Sequence, residues 1–132
     1  MRAAVESADG TSIVDLDDDE LVETDAEVAI ERRPVRVDLP LVVAADATGA
    51  LVIAVVKRRP PLVVSHDAGS TWRETGHGLP PGRAVAVSPD HPDLIVFASE
   101  NRLYVSRDGG RFWQPLATEF ADIRAVAWLQ EV

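Results

Sequence analysis

The chain contains no cysteine and only 5% aromatic residues, and its net charge of −9 leaves it poor in cations. Without cysteine, disulfides, thiol nucleophiles and cysteine-based zinc sites are excluded. So few aromatic rings argue against a base-stacking platform. The negative charge argues against binding the phosphates of nucleic acid. We therefore expect no nucleic-acid partner.

Long apolar runs are also missing. The longest, Leu39 to Ala45 and Leu51 to Val56, have the length of strands and fall far short of the roughly 20 residues that span a bilayer. Glu6 and Asp9 interrupt the N-terminal region, where a secretory signal would need an apolar core. With 46% hydrophobic residues in 132, the sequence predicts one folded domain over 1–132, cytoplasmic and without a membrane partner.

Acidic residues concentrate in the first third of the chain. Residues 1–38 hold 12 acids against 4 bases, whereas residues 39–132 hold 10 against 9. The cluster comprises Asp15, Asp17, Asp18, Asp19 and Glu20. Its alternation resembles the first ligands of a calcium loop, but the Gly and Glu that such a loop needs at its sixth and twelfth positions are replaced by Glu20 and Ala26. An acidic hairpin turn that protects a strand edge is the favoured interpretation.

An internal repeat of 41 residues organises the rest of the sequence. A shift of 41 superimposes Ser65, Asp67, Gly69 and Trp72 on Ser106, Asp108, Gly110 and Trp113. It also superimposes Leu62-Val63-Val64 on Leu103-Tyr104-Val105, and Arg83-Ala84-Val85-Ala86 on Arg124-Ala125-Val126-Ala127. A weaker third copy precedes these two. Leu21-Val22 lies 41 residues before Leu62-Val63, and Gly10 and Gly49 occupy matching turns.

Within each repeat the segments are short, apolar and β-branched, and Pro and Gly clusters separate them. No window shows a capped helical pattern. The best copy predicts strands at about 83–88, 94–99, 102–106 and 111–116. A repeated four-stranded antiparallel unit of this length is typical of a β-propeller blade. The fold class is therefore all-β. The predicted blades lie at about 1–38, 39–80 and 81–117, and a terminal strand follows at 122–129. The first blade is degenerate and forms either a full blade or two hairpins.

Two octapeptides stand at the same place in successive blades. Ser65-His66-Asp67-Ala68-Gly69-Ser70-Thr71-Trp72 matches the pattern Ser-x-Asp-x-Gly-x-Thr-Trp completely, and Ser106-Arg107-Asp108-Gly109-Gly110-Arg111-Phe112-Trp113 departs from it only at Phe112. The pattern resembles the Asp-box, or BNR repeat, of sialidase-like and photosystem II assembly factor-like propellers. The resemblance covers about residues 39–132 and implies that the boxes lie on the blade rim, remote from any central pocket.

The box residues have a local physical role. A short carboxylate at a turn accepts hydrogen bonds from backbone N–H groups, glycine supplies a positive φ, and the tryptophan packs between strands. We therefore interpret these residues as structural rather than catalytic: Ser65, Asp67, Gly69, Thr71, Trp72, Ser106, Asp108, Gly110 and Trp113.

The resemblance raises the question of sialidase chemistry, which uses an arginine triad, a tyrosine nucleophile and acidic partners. The single tyrosine, Tyr104, is repeat-equivalent to Val63 and is interpreted as a packed strand residue. Arg83 and Arg124 are repeat-equivalent and can line a channel, but two arginines do not make a triad. The opposed carboxylates of a glycosidase cannot be identified from the sequence. A glycoside hydrolase with a site assembled across an oligomer is therefore the alternative function.

The remaining titratable residues do not form a site in the sequence. His66, His77 and His91 lack metal-ligand spacing and are interpreted as solvated loop residues. Lys57-Arg58-Arg59 precedes two prolines and is interpreted as a solvated hairpin turn. We expect no catalytic residue, cofactor or metal.

Three blades cannot close a propeller, which needs four to eight. An open arc would leave apolar faces in water, and the terminal strand Ile123 to Leu129 lacks the strands that should follow it. Two chains would form a six-bladed ring, in which the terminal strand completes a blade with the partner's N-terminal segment. The sequence thus predicts a homodimer.

The favoured function is a non-catalytic propeller that binds a protein partner or a glycan, since a fold alone does not fix an activity. Trp72 and Trp113 belong to the boxes and are expected to be packed. Trp128 replaces Val87 of the preceding repeat, so we place it with Arg83 and Arg124 among the channel-facing or ligand-facing residues. A third possibility is a building block with a scaffold role only.

Overall fold

The computed structural model of the chain describes residues 1–30 and 35–129. Over these residues the protein is all-β, and its strands form three four-stranded antiparallel sheets that resemble propeller blades. Within the same ranges, no helix is long and apolar enough to cross a membrane.

The sheets are named here by the order in which they begin along the chain. Sheet I contains β1 (Arg2–Ser7), β2 (Gly10–Asp15), β3 (Glu20–Glu23) and β12 (Ala125–Trp128), in the spatial order β12-β1-β2-β3. Sheet II contains β4 (Val42–Thr48), β5 (Leu51–Val56), β6 (Leu62–Ser65) and β7 (Arg73–Thr75), in chain order. Sheet III contains β8 (Gly82–Val87), β9 (Ile95–Ser99), β10 (Arg102–Ser106) and β11 (Gln114–Glu119), also in chain order.

Sheet III tests the strand boundaries predicted for the best repeat. Its first three strands begin and end within one residue of the predicted positions. The fourth begins at Gln114 rather than 111, because Arg111, Phe112 and Trp113 belong to the preceding turn, where the carboxylate of Asp108 accepts the N–H groups of Arg111 and Phe112.

Two apolar layers fix the order of the sheets as II, III, I. Between sheets II and III, fully buried Ile53, Leu62, Ile95 and Phe97 form one cluster. Between sheets III and I lies a second cluster, with members from both sheets and from the loops beside them: Ala3, Val5, Val14, Leu16, Ala84, Ala86, Val96, Ala98, Leu103, Val105, Leu116, Ile123 and Val126. Successive side chains of a strand point to opposite faces of the sheet, so the apolar side chains on one face pack against the neighbouring sheet.

The terminal strand is used within the chain. β12 pairs antiparallel with β1, so that Ala4 lies opposite Ala127 and Val5 opposite Val126. This differs from the expectation that the strand completes a blade with a partner's N-terminal segment. Because β12 belongs to the same chain, the edge of β1 has its backbone partners without a second copy. The terminal strand is therefore no longer an argument for a dimer.

The N-terminal blade is also displaced from the predicted alignment. Leu21 and Val22 lie in β3, the fourth strand of sheet I, whereas Leu62 and Val63 lie in β6, the third strand of sheet II. The alignment was therefore wrong by one strand, because the connection between sheets I and II (residues 24–41) is longer than the one between sheets II and III (residues 76–81).

Residues 24–41 connect β3 of sheet I to β4 of sheet II. The Ala26 N–H donates to the Thr11 carbonyl oxygen at 2.8 Å. Val37 and Leu39 pack on the face of sheet II that points away from sheet III, around Ala54 and Val63. In an open arc of blades this face was expected to be exposed to solvent. The connection covers it instead, and Ala54 is 0% exposed.

Candidate functional site

The turn between β6 and β7 is held by a serine and an aspartate. The Ser65 hydroxyl donates to Asp67 Oδ1 at 2.7 Å and accepts the Gly69 N–H at 2.8 Å. The Asp67 carboxylate also accepts the Thr71 N–H at 2.8 Å and the Thr71 hydroxyl at 2.5 Å. The Thr71 hydroxyl and then the Ser65 hydroxyl lower the pKa of Asp67 to about 2, so this carboxylate is charged at neutral pH and closes the turn.

The turn between β10 and β11 repeats the arrangement. The Ser106 hydroxyl donates to Asp108 Oδ1 at 2.8 Å and accepts the Gly110 N–H at 2.8 Å. Asp108 Oδ1 accepts the N–H groups of Arg111 and Phe112, both at 3.0 Å. Desolvation opposes the charged form of Asp108, but the hydrogen bonds from Phe112 and Ser106 outweigh it and lower the pKa. Phe112 takes the place of Thr71, lacks its hydroxyl and is 79% exposed.

The tryptophans of the two turns pack against sheets. Trp72 lies half-buried against Ala54 and Val63. Trp113 packs against the cluster between sheets II and III, with its ring centroid 6.1 Å from that of Phe97, and its Nε1–H donates to the Gly110 carbonyl oxygen at 3.1 Å. Both tryptophans thus pack against the sheets beside their own turns.

Sheet I has a turn at the same place, and the acidic cluster forms it. Asp15 Oδ1 accepts the N–H groups of Asp17 and Asp18, at 2.9 and 3.1 Å, whereas each serine hydroxyl of the other two turns accepts the N–H of the glycine four residues later. Asp19 has a positive φ of 53° where those turns have a glycine. The sequence comparison missed this equivalence, because carboxylates replace both the serine and the glycine.

The same acids also join sheet I to sheet III. Asp17 Oδ1 lies 3.0 Å from the Arg107 guanidinium, and Asp17 Oδ2 lies 2.6 Å from the N-terminal ammonium group. That ammonium group and then Arg107 lower the pKa of Asp17 against desolvation. Both carboxylate oxygens of Asp19 accept the N–H of Ala117 on β11, at 2.9 and 3.0 Å. These carboxylates bond to protein groups, and within the described ranges no set of three or more histidine, aspartate or glutamate side chains is placed to hold a metal ion.

A cavity of about 670 Å³ lies between the innermost strands of the sheets, and it is called the inner groove here. Residues of all three inner strands line it, together with parts of the connection: Ala4, Val28, Ala29, Ile30, Val35, Val42 to Thr48, Arg83 to Val87, Pro89 and Arg124 to Leu129. The three residues predicted as ligand-facing, Arg83, Arg124 and Trp128, all belong to this lining. That they bind a ligand stays a prediction.

One carboxylate links the two arginines. Asp122 Oδ1 accepts a hydrogen bond from Arg83 Nη1 at 2.9 Å, and Asp122 Oδ2 lies 3.6 Å from Arg124 Nη2. Glu100 lies at 3.9 Å from Arg83. Arg83, Arg124 and Asp122 are half-exposed, at 44%, 56% and 43%, and Glu100 is 72% exposed. The arginines are thus brought together at one end of the groove.

The other predicted residue, Trp128, is fixed by its indole nitrogen. Its Nε1–H donates to the Ala86 carbonyl oxygen at 2.9 Å. From the opposite side, Asp46 Oδ2 accepts the N–H of Val87 at 2.7 Å. β8 is the inner edge strand of sheet III, and a side chain from each neighbouring sheet bonds to one of its backbone groups.

Tyr104 and the histidines lie away from the inner groove. The Tyr104 ring packs with its centroid 5.8 Å from that of Phe97 and also lines a second cavity, of about 560 Å³, together with His77. His66 Nε2 lies 3.3 Å from Arg73 Nη2, and the backbone N–H of His91 donates to the Ser88 hydroxyl at 3.3 Å. The structure does not bring the three histidines into one site.

The basic tract is equally remote from the inner groove. Lys57, Arg58 and Arg59 are exposed in the turn between β5 and β6. Arg59 also lines the second cavity beside His77. The tract therefore adds no cation to the arginine end of the inner groove.

No protein-family model matches the chain, and no curated protein sequence matches it.

Proposed function

We propose that the chain is a non-catalytic binding module whose inner groove recognises a protein partner or a glycan. The observation that carries the proposal is the convergence of three inner strands on one cavity of about 670 Å³. Ligand sites in proteins typically measure about 300–1,000 Å³. Arginine and tryptophan dominate the energetics of protein interfaces, and Arg83, Arg124 and Trp128 line this cavity.

A glycan array and a panel of fluorogenic glycosides test the glycan arm. We expect binding without hydrolysis, and a loss of binding of at least tenfold when Arg83 and Arg124 are both replaced by Gln, the scale of two lost charged contacts. Arg102→Gln is the matched control, because Arg102 pairs with Glu119 at 2.8 Å on β10 and β11 and does not line the groove. Glycoside hydrolysis that the double substitution abolishes would establish the alternative, a glycoside hydrolase.

Site-specific photo-crosslinking tests the protein arm. A photoreactive residue at Ala127, which lines the groove, should form a defined crosslinked product in the source cells. The same residue at Lys57, exposed in the turn between β5 and β6, should not form that product. Identical products from both positions, together with no binding on the glycan array, would refute a groove-based module.

The same proposal assigns the two serine–aspartate turns to the Asp-box family. Its support is that in both turns the serine hydroxyl donates to the aspartate and accepts the N–H of the glycine four residues after the serine. If the turns are architectural, Asp67→Ala lowers the melting temperature and leaves groove binding per folded molecule unchanged. Loss of binding at an unchanged melting temperature would contradict this assignment.

The proposal extends to a homodimer that completes a six-bladed ring. Its support is the number of sheets, since three blade-like sheets are fewer than the four to eight blades of a closed propeller. Sheets I and II are the two end sheets of the row, so a second copy would be placed against sheet I and against the connection that covers the outward face of sheet II. Light scattering should give twice the chain mass of 14.3 kDa. A mass of one chain throughout the micromolar range would overturn the ring.

A further inference from the structure

The second cavity, of about 560 Å³, lies where loops of sheet II meet sheet III. The turn between β5 and β6 supplies Arg59 and Pro60, the connection between β7 and β8 supplies residues 77–81, and β10 supplies Tyr104. The volume is within the range of about 300–1,000 Å³ that is typical of ligand sites. Every one of these residues is at least partly exposed, so the whole lining is open to a ligand.

The greater part of this lining is apolar. Leu79 and Tyr104 pack on one side against the buried cluster between sheets II and III, and the Tyr104 ring centroid lies 5.8 Å from that of Phe97. Three prolines complete the apolar surface: Pro60, Pro80 and Pro81. Apolar groups that are held on one side and exposed on the other gain free energy when a ligand covers them.

The two loops that carry the cavity are fixed by their own backbones. The Val56 N–H donates to the Pro61 carbonyl oxygen at 2.8 Å, and the Leu79 N–H donates to the Gly76 carbonyl oxygen at 3.1 Å. A Cβ at Gly76 would lie 2.9 Å from Leu79 Cδ1, so the glycine allows Leu79 to fold back on its own loop. Proline also restricts φ in both loops. A ligand therefore meets a surface that loses little conformational entropy on binding.

The polar side chains of the cavity are not engaged by other groups. These are Arg59, His77 and Tyr104, and no carboxylate lines the cavity with them. Within the part of the chain that the structure describes, none of the three side chains makes a hydrogen bond or an ion pair through its polar atoms, apart from what water provides. Arg83 in the inner groove differs, because it is bonded to Asp122. A guanidinium group presents five N–H donors in a planar fork that suits a carboxylate.

The charge around the cavity favours an anion. Arg59 ends the basic tract Lys57-Arg58-Arg59, whose three side chains are exposed and form no ion pair with another described residue. Because salt screens exposed charges beyond about 10 Å, the distant acids of the chain do not cancel this local excess. The tract therefore attracts an acidic ligand to the cavity although the net charge of the chain is −9.

We propose that the second cavity binds a small aromatic carboxylate, with its acidic group at Arg59 and its ring against Leu79, Tyr104 and the prolines. An aromatic body suits this lining because it can pack on the Tyr104 ring in an offset or edge-to-face arrangement and can also lie under a guanidinium group. The site is separate from the inner groove and does not rest on the function proposed for that groove.

Two compounds with the same aromatic body provide the test. Naphthoate carries the carboxylate, and naphthamide has a neutral amide at the same ring position. The folded wild-type protein should bind naphthoate about fivefold more tightly, which is the upper range for an exposed ion pair. An NMR titration of the backbone amides at neutral pH gives both dissociation constants. It also locates the site, since the amide signals of Gly78 and Leu79 should shift and those of β12 should not.

The variants separate contact from long-range charge. Arg59→Gln should lower the naphthoate affinity about fivefold, to that of naphthamide, and should leave naphthamide unchanged. Arg58→Gln is the matched control, because it removes the same charge from the adjacent residue, which does not line the cavity. It should lower the naphthoate affinity less than about twofold.

A third variant tests the aromatic contact. Tyr104→Val introduces the residue type that stands at the repeat-equivalent position, Val63, and should weaken both compounds about threefold or more by removing the ring. The melting temperature confirms that each variant is folded. The two arginine variants keep the test valid even where Tyr104→Val lowers that temperature, because both arginines are exposed.

Equal affinities for the two compounds would overturn the proposal, as would equal losses of naphthoate binding in Arg58→Gln and Arg59→Gln. Saturable shifts confined to β12, or no saturable shift at all, would also overturn it. Failure of the inner groove is a distinct result, which the glycan array and the crosslinking experiment decide without reference to this cavity.

Discussion

The carboxylate of Asp46 accepts the backbone N–H of Val87 at 2.7 Å, across the boundary between sheets II and III. Val87 is 3% exposed and lies on the inner edge strand of its sheet. A buried N–H without an acceptor is costly, so this contact joins the two sheets and protects the edge. Asp19 acts similarly at the outer edge strand of sheet III, where it accepts the Ala117 N–H.

Removing the Asp46 acceptor should destabilise the fold. Asp46→Ala leaves the Val87 N–H without its partner, and the free energy of unfolding should fall by about 1–2 kcal/mol. Asp46→Asn keeps an acceptor oxygen and should cost less. Urea denaturation followed by tryptophan fluorescence measures both values. If the two variants were equally stable, the hydrogen bond would not be the source of the stabilisation.

The Asp67 turn should make the free energy of unfolding depend on pH in the acidic range. The pKa of Asp67 is about 2 in the folded protein against 3.8 for the ordinary carboxyl. Because the unfolded chain binds more protons between these values, the stabilisation is complete above about pH 5 and is lost as the pH falls through 2. Denaturation curves at several acidic pH values should show the wild type and Asp67→Asn converging below pH 4. A difference that stays constant across this range would contradict the prediction.

Phe112 is the position at which the second turn departs from the first. Phe112→Thr adds a hydroxyl that can donate to Asp108, as the Thr71 hydroxyl donates to Asp67 at 2.5 Å, and it removes a side chain that is 79% exposed. We expect the melting temperature to rise by about 2–4 °C. Phe112→Val is the control, since it shortens the side chain without adding a donor. An equal rise with valine would assign the gain to the loss of the phenyl ring.

The backbone at Gly82 lies close to the side chains of Phe97 and Val55 in the core. A Cβ at this position would lie 2.3 Å from Phe97 Cε2 and 2.6 Å from Val55 Cγ1, and both neighbours are 0% exposed. Gly82→Ala should therefore cost about 2–3 kcal/mol through overpacking. Gly78→Ala meets no atom within 4 Å and is strained only by its φ of +86°, so it should cost about 1 kcal/mol. Chemical denaturation compares the two, and equal losses would exclude the packing explanation.

The 41-residue repeat predicted the four-stranded sheets well, because Ser65, Asp67, Ser106 and Asp108 occupy turns whose geometry depends on those residue types. The first sheet was harder to predict. Its turn begins at Asp15, 50 residues before Ser65, and the connection between sheets I and II shifts the repeat. An alignment that allowed an acid in place of the serine and the glycine would have found it.

The contacts between sheets were not predicted, although their positions carry a signal. Asp46, Val87 and Trp128 stand 41 residues apart and meet at one level of the groove. Because a carboxylate, a backbone N–H and an indole differ chemically, residue identity does not reveal the relationship. Only the register of the strands, which depends on three-dimensional packing, brings them together.

The pairing of β1 with β12 joins residues separated by about 120 positions in the sequence. During synthesis the first three strands of sheet I leave the ribosome early, but their fourth strand is made after sheets II and III. Closure over so long a span is slow relative to local hairpin formation. The sheet that begins the chain is thus the last to be completed, and until then the nascent polypeptide exposes an unpaired strand edge.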